Sequence, residues 1–346
     1  MLTIDGSFGE GGGQILRTAI SLALVTGQEV RIEKIRAGRE KPGLQRQHLA
    51  AVEAAAALSQ AHVEGSELGS RKILFRPGSV APGDYSFTVG SAGSATLVLQ
   101  TILPALLTVA APCAVLLEGG THNPFAPPFE FLAKTYLPQI NRLGPRVRSK
   151  LDRHGFYPAG GGKMRVTIDP ATKLQPFSLL ERGRVLDCRG TAIVAHLPRH
   201  IAERELKVLK RELGLHSADT RIEEVKSYGP ANAVFVEVET ESVTEVFVGF
   251  GEQGVRAELV AGRLAKEVRR YLDAEVPVGE HLADQLLLPL ALAGGGSFVT
   301  LPLSSHSLTN IEVLKHFLPI DVKVEPVSDH AVRVQLALRP GTVEQG

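Results

Sequence analysis

A recurring layout constrains this chain most: a glycine- or proline-rich turn, a helix, strand-like sequence, then a second turn and helix. The first instance runs from Ile4 through Gly9-Glu-Gly-Gly-Gly13 into Gln14 to Val25, with Ile15, Leu16, Ala19, Ile20 and Ala23 apolar and Gly27 as a stop. Val30 to Ile35 then alternates as a strand, and an Ala- and Leu-rich helix is expected from about Leu44 to Gln60. The pattern returns at Gly90-Ser-Ala-Gly93-Ser-Ala, with a helix from about Thr96 and another opened by Pro127-Pro128. It returns again near the C-terminus, where Val278-Gly279-Glu280 precedes a helix from about His281 and Thr309 opens its partner. Within each pair the helix starts lie roughly 30 residues apart, which predicts three copies of a two-helix, several-strand unit. The fold class expected is α/β (α+β).

Copies two and three are separated by roughly 90 residues too many for a plain repeat. The excess has its own elements: strands at Val185 to Val194, Ala233 to Glu239 and Glu245 to Phe250, and helices at Ile201 to Leu213 and Gly254 to Tyr271. We therefore expect a discontinuous domain of residues 1–182 and 277–346, interrupted by a small α/β domain at 183–276. Pro340 to Gly346 reads as a frayed tail.

Composition removes several classes. A net charge of +1 excludes a broadly basic nucleic-acid coat, so any polyanion contact is local. The only cysteines, Cys113 and Cys188, are far apart and fit neither a disulfide framework nor a Cys-based zinc site. His154, His196, His200 and His216 likewise show no metal-quartet spacing. The uncharged run Leu97 to Leu117 is long enough for a bilayer, yet Gln100, Thr101, Pro104 and Pro112 interrupt it. Helix, break and buried strand at Ala114 explain it better, and no membrane partner is expected. The start Met1-Leu-Thr-Ile-Asp-Gly6 lacks signal-peptide regions, so a reducing cytoplasm is the expected compartment.

Chemistry-bearing residues gather at the turns. Gly9 to Gly13 lacks the lysine and Ser/Thr of a P-loop and fails G-x-G-x-x-G spacing, but it brings backbone close to a phosphate, with Glu10 as a hard oxygen ligand. A plain strand-to-helix turn has the same pattern. Arg36, Arg39, Lys41 and Arg46, beside Gln47 and His48, offer donors for phosphate oxygens or form a solvated charged loop. Gln100 is a lone amide in an apolar helix and needs a partner or a ligand edge. Asp284 opens another apolar helix, where a carboxylate also serves simply to balance the dipole. Thr309 and Glu312 fit a capping box, predicting a helix start at Asn310 and placing His306 just outside it. An imidazole facing an anion site there is a candidate nucleophile toward phosphorus; a loop histidine with no task has the same local pattern.

Together these motifs resemble the RNA 3′-terminal phosphate cyclase family. The matching segments are Gly9 to Arg17, Ile35-Arg-Ala-Gly-Arg39, Lys41-Pro-Gly-Leu44, Arg46-Gln-His48, Gly90 to Ser94, His154-Gly-Phe-Tyr-Pro-Ala-Gly-Gly-Gly162, His281-Leu-Ala-Asp-Gln285 and Ser305 to Asn310. They stand in the family's order, and the resemblance runs from residue 2 to about 337. The resemblance implies three βαβαββ-type units with a small inserted domain. It implies an enzyme that uses ATP to turn an RNA 3′-phosphate end into a 2′,3′-cyclic phosphate, with Mg²⁺ or Mn²⁺. His306 matches the nucleophile that takes AMP, and Glu10 the metal ligand. Arg17, Arg36, Arg39, Arg46 and Gln47 match phosphate- or RNA-holding positions. Gln100 and the segment His281, Leu282, Ala283, Asp284, Gln285 match the ATP-binding positions, with Asp284 expected to orient His306 or the ribose. This chain has His281 where the family often carries Tyr. Two other classes stay open at this point: a non-catalytic cyclase-like RNA-binding factor in ribosome assembly, and a transferase on similar repeats acting on a small anionic metabolite. Oligomeric state is open too.

Overall fold

The computed structural model describes residues 1–90 and 92–340. Ser91 of the second glycine turn and most of the expected tail lie outside them. Strand β1 (Leu2–Asp5), helix α1 (Gly13–Thr26), β2 (Val30–Glu33), α2 (Arg46–Ser59), β3 (His62–Glu64) and β4 (Ile73–Arg76) form the first unit. Its sheet runs β1-β2-β4-β3, with β1 parallel to β2 and the remaining pairs antiparallel. Alternation places Val30 and Ile32 wholly in the core. Helix α1 stops where Gly27 takes the left-handed conformation, at φ 68°.

The second unit repeats this order. It comprises β5 (Asp84–Thr88), α3 (Ala95–Leu106), β6 (Cys113–Gly119), α4 (Phe129–Phe131), α5 (Leu137–Arg142), β7 (Arg146–Arg153) and β8 (Gly162–Asp169), in a sheet β5-β6-β8-β7. A π-turn over Leu132–Tyr136 joins α4 to α5 just before Pro138, which has no N–H for a helical bond. The long apolar run is thus divided between buried α3 and buried β6. Among the described residues no helix is long and apolar enough to cross a membrane.

The third unit begins with the two-residue strand β9 (Ser178–Leu179) and is then interrupted. The interruption contains β10 (Val185–Ala195), α6 (His200–Leu213), β11 (Thr220–Glu224), β12 (Ala231–Thr240), β13 (Thr244–Phe250) and α7 (Ala257–Ala274). These strands form their own sheet, β11-β10-β12-β13, with α6 and α7 packed together on it. The chain then returns through α8 (Glu280–Leu292), β14 (Gly295–Thr300), α9 (Ser305–Phe317), β15 (Ile320–Ser328) and β16 (Ala331–Leu338). The completed sheet is β9-β14-β16-β15, the same first-second-fourth-third order as the other two units. The fold is α/β, and the interruption follows the third unit's first strand.

The start of α9 differs most from the expectation, while α2 and α7 begin two and three residues later than expected, at Arg46 and Ala257. Helix α9 begins at Ser305, because Ser304 caps it by accepting the Ser307 N–H at 3.2 Å. The Thr309 hydroxyl instead donates to the Ser305 carbonyl at 2.7 Å, inside the first turns. His306 therefore sits within the first turn of α9 and not in a loop ahead of it.

Candidate active site

Helix α1 packs against α2, α3 and α9, and α8 packs against α9, which brings the motif-bearing helix starts to one region. No side chain caps the N-terminus of α1, and no acid lies in its first turn, so that end suits an anion. The turn before it is tied to α9: the Glu10 N–H donates to Thr309 Oγ1 at 3.1 Å. Gly9 makes this approach possible. Its φ is +56°, and a Cβ there would stand 2.2 Å from Thr309 Oγ1.

Three side chains from three helices form a relay. Asp284 of α8 accepts from Gln14 Nε2 at 2.6 Å, and Gln14 Oε1 faces His306 Nδ1 at 2.7 Å. Since the carboxylate takes the amide N–H₂, the amide oxygen is turned to the imidazole. In the neutral imidazole His306 Nδ1 then carries the proton and donates it, which places the bare lone pair on Nε2. Asn310 Nδ2 also donates to Asp284, reaching Oδ1 at 3.3 Å, and Asn310 Oδ1 accepts from Thr18 at 2.8 Å. Burial raises the Asp284 carboxyl, and Gln14, His306, Asn310 and Arg17 oppose that rise. His306 itself is about half exposed, so a reactant can reach its ring.

Around the relay lie the other candidates. Glu10 pairs with Arg39 through Oε1, while its Oε2 is buried without a hydrogen-bond partner among the described residues, 3.8 Å from His306 Nδ1. A buried hard oxygen of this kind fits a divalent cation. Arg17 makes no hydrogen bond among the described residues, and burial lowers its guanidinium to about 10 against the attraction of Asp284. Burial, with Arg17 and Arg36 adding, pushes His48 down to about 3, so it is neutral. Its Nδ1 accepts the Gln45 N–H at 3.1 Å, leaving an Nε2–H directed at the start of α1 by Gly13. Arg36 is turned back on its own loop, donating to the Lys41 and Gly43 carbonyls at 2.6 and 3.1 Å. Arg46 and Gln47 reach the second unit, meeting the Gly90 carbonyl and the Ser94 N–H, each at 3.4 Å.

A cavity of about 70 Å³ lies among α1, α3, α8 and α9, lined by Gln14, Arg17, Gln100, Asp284, Gln285 and Asn310. Gln100 donates to Gln285 across it, so the lone amide of α3 has found a protein partner. The segment His281 to Gln285 divides by helical phase. Asp284 and Gln285 line the cavity, Leu282 and Ala283 are buried in the core, and exposed His281 faces Glu267 of α7 at 3.7 Å. Gln14, Thr18 and Asn310 were given no role from sequence, and Thr309 only that of a helix cap. For Gln14 and Thr18 a weak signal was present, as polar residues in the largely apolar α1.

The model of RNA 3′-terminal phosphate cyclase matches residues 8–324. A protein of Koribacter versatilis (strain Ellin345) called RNA 3′-terminal phosphate cyclase is 55% identical over 340 residues, covering 98% of this chain and 96% of its own length. The chain belongs to the RNA 3′-terminal phosphate cyclase family. A solved EPSP synthase from Acinetobacter baumannii aligns with 94% of this chain, which spans 62% of that one, at 11% identity and a TM-score of 0.29, too slight for any argument. Within this cyclase-family chain the His306 relay, the Glu10 carboxylate and the Arg17 guanidinium lie together around the start of α1.

Proposed function

We propose that this chain uses ATP to convert an RNA 3′-terminal phosphate into a 2′,3′-cyclic phosphate, with His306 as the covalent nucleophile. One observation carries the reading: the Asp284–Gln14–His306 relay, which in the neutral ring assigns the proton to Nδ1 and the lone pair to Nε2. The substrate class comes from family membership and from the name of the Koribacter versatilis relative.

In this reading Nε2 attacks the α-phosphorus of ATP as the bond to pyrophosphate breaks, giving histidine-bound AMP. The RNA 3′-phosphate oxygen then takes AMP from the ring. The neighbouring 2′-OH attacks the activated phosphate and expels AMP, closing the cycle. Activation exchanges a poor phosphate-oxygen leaving group for AMP, and the last attack is already intramolecular. Arg17, Arg39 and the N-terminus of α1 hold phosphate oxygens. A divalent ion such as Mg²⁺ or Mn²⁺, held at Glu10, supplies charge neutralisation at the ATP phosphates.

The test is covalent labelling with α-³²P-ATP, comparing wild type with His306→Ala. Acid-labile label on wild type alone, discharged by RNA with a 3′-phosphate, is the expected result. Absence of label on folded wild type across metals overturns the catalytic reading. Label that persists in His306→Ala moves the nucleophile elsewhere.

A further inference from the structure

Away from the His306 relay, the second unit gathers three metal-ligating side chains that this chemistry does not use. His122 follows β6, His154 follows β7, and Glu130 stands in the first turn of α4. One donor atom from each lies within 4.8 Å of the other two. The two loops are joined by a parallel bridge between His122 and Phe156, so the approach is built into the sheet end. His122 is fully buried, while Glu130 and His154 are partly exposed.

We propose that His122, Glu130 and His154 form a binding site for a divalent transition metal of the zinc class, separate from the Glu10 carboxylate. Two imidazoles and one carboxylate are the donor set of three-ligand zinc sites that keep a fourth position open. Such a nitrogen-rich set disfavours Mg²⁺ and Ca²⁺, which take oxygen ligands. Donors around a tetrahedral zinc stand roughly 3.3 Å apart, so closure of about 1–1.5 Å suffices.

The surrounding contacts suit the first ligand. His122 Nδ1 lies 2.8 Å from Thr121 Oγ1, which also accepts the Gly155 N–H at 2.9 Å. That hydroxyl can accept a hydrogen bond from Nδ1–H, which turns the Nε2 lone pair to the side of Glu130 Oε2, 2.8 Å away, for a metal to share. The His122 and His154 rings lie 5.0 Å apart, and His154 stacks parallel on Phe156 with centroids 6.0 Å apart. A metal here would clamp the Thr121–Asn123 and His154–Phe156 loops together. Asn123 holds the Ala92 carbonyl, so the clamp extends to the glycine turn that meets Gln47.

The experiment uses the full chain, stripped of metal and kept free of Mg²⁺, titrated with Co²⁺. We expect saturation at one equivalent with visible d–d bands, displacement by Zn²⁺, and a thermal midpoint raised by about 2–5 °C at saturating metal. Glu130→Gln and His154→Ala each weaken the binding that gives the d–d bands at least about 10-fold, whereas His306→Ala and Glu10→Ala keep those bands and their affinity. The proposal is overturned if folded wild type shows no saturable binding below roughly 100 μM. Wild-type affinity in His154→Ala, or loss of the d–d bands in Glu10→Ala instead, overturns it equally. Should His154→Ala not fold, Glu130→Gln decides alone, since it keeps the side chain's shape and a hydrogen bond to His122. None of these results bears on ATP labelling at His306, so the two readings fail independently.

Discussion

Gln14 Oε1 and His306 Nδ1 lie 2.7 Å apart, and that contact determines which ring nitrogen is free. An amide can present either end. Here Asp284 claims the N–H₂ end at 2.6 Å, so only the oxygen remains for the imidazole. Asp284 thus acts on His306 through one intermediary, and Gln14 has no freedom to flip without placing two acceptors face to face.

Removing the intermediary should impair chemistry while sparing the fold. In Gln14→Ala the imidazole loses its Nδ1 acceptor, and the proton is no longer confined to that nitrogen. We expect single-turnover adenylylation of His306 to slow roughly 10–100-fold, with ATP binding changed much less. Asp284→Asn should have a smaller effect, because an Asn oxygen still accepts from Gln14. Rapid-quench labelling with α-³²P-ATP measures both. An unchanged rate in Gln14→Ala would mean that the relay does not orient the nucleophile.

The order of the three units was legible in the sequence because it is written locally. Glycine turns, apolar periodicity and alternating strands such as Val30–Glu33 need no distant partner to be read. The strand Ser178–Leu179 was not legible, since two residues carry no periodicity and only pairing with β14 makes them a strand. The start of α9 was misjudged because Ser304 and Thr309 are both competent caps, and position in three dimensions chose Ser304. His306, Glu10 and Asp284 stood out by type, but their connection did not. Gln14 meets partners 270 and 292 residues away, so its role exists only once α1, α8 and α9 are packed. His154 was set aside for the same reason, its companions His122 and Glu130 being distant in sequence.

Glu10 offers a prediction on metal use. Its Oε2 is buried without a partner beside His306, and its Oε1 is paired with Arg39. Glu10→Gln keeps the shape and removes the negative charge a cation requires. The Mn²⁺ concentration giving half-maximal labelling should rise about 10-fold or more. The same measurement on Arg39→Ala separates the two roles, because that change frees Oε1 and leaves the carboxylate charge intact. Equal metal dependence in Glu10→Gln and wild type would remove Glu10 from the metal site.

The contact between Gly9 and Thr309 predicts a coupled pair. Gly9→Ala places a methyl 2.2 Å from Thr309 Oγ1 and forces a left-handed alanine at φ +56°. The cost should be about 1–3 kcal/mol, with labelling reduced because the Glu10 turn is displaced. Thr309→Ala removes the obstructing hydroxyl but also the acceptor of the Glu10 N–H. The double variant should therefore be more stable than the sum of the single losses implies. Strict additivity in denaturant melts would show that the two positions do not touch in solution.

Glu245 gives the pH dependence its sign. The side chain is 2% exposed on β13, and its Oε1 accepts the N–H of Gly279 at the start of α8 at 2.6 Å. Burial raises its carboxyl to about 8, Gly279 opposes the rise, and nearby Glu267 adds to it. A group raised in the folded state binds its proton more tightly there than in the unfolded chain. Stability from this site is therefore fully present below the ordinary carboxylate value of 4.5, and it is lost as pH climbs from there through about 8. Glu245→Gln retains the acceptor for Gly279 and has no charge to bury. We expect it to melt above wild type at pH 8, by an amount on the order of 1–2 kcal/mol, and to lose that advantage near pH 5. Thermal melts of the two proteins across that range provide the check. A difference that stays constant with pH would show that Glu245 is ionised in the fold throughout, held by the α8 N-terminus in spite of its burial.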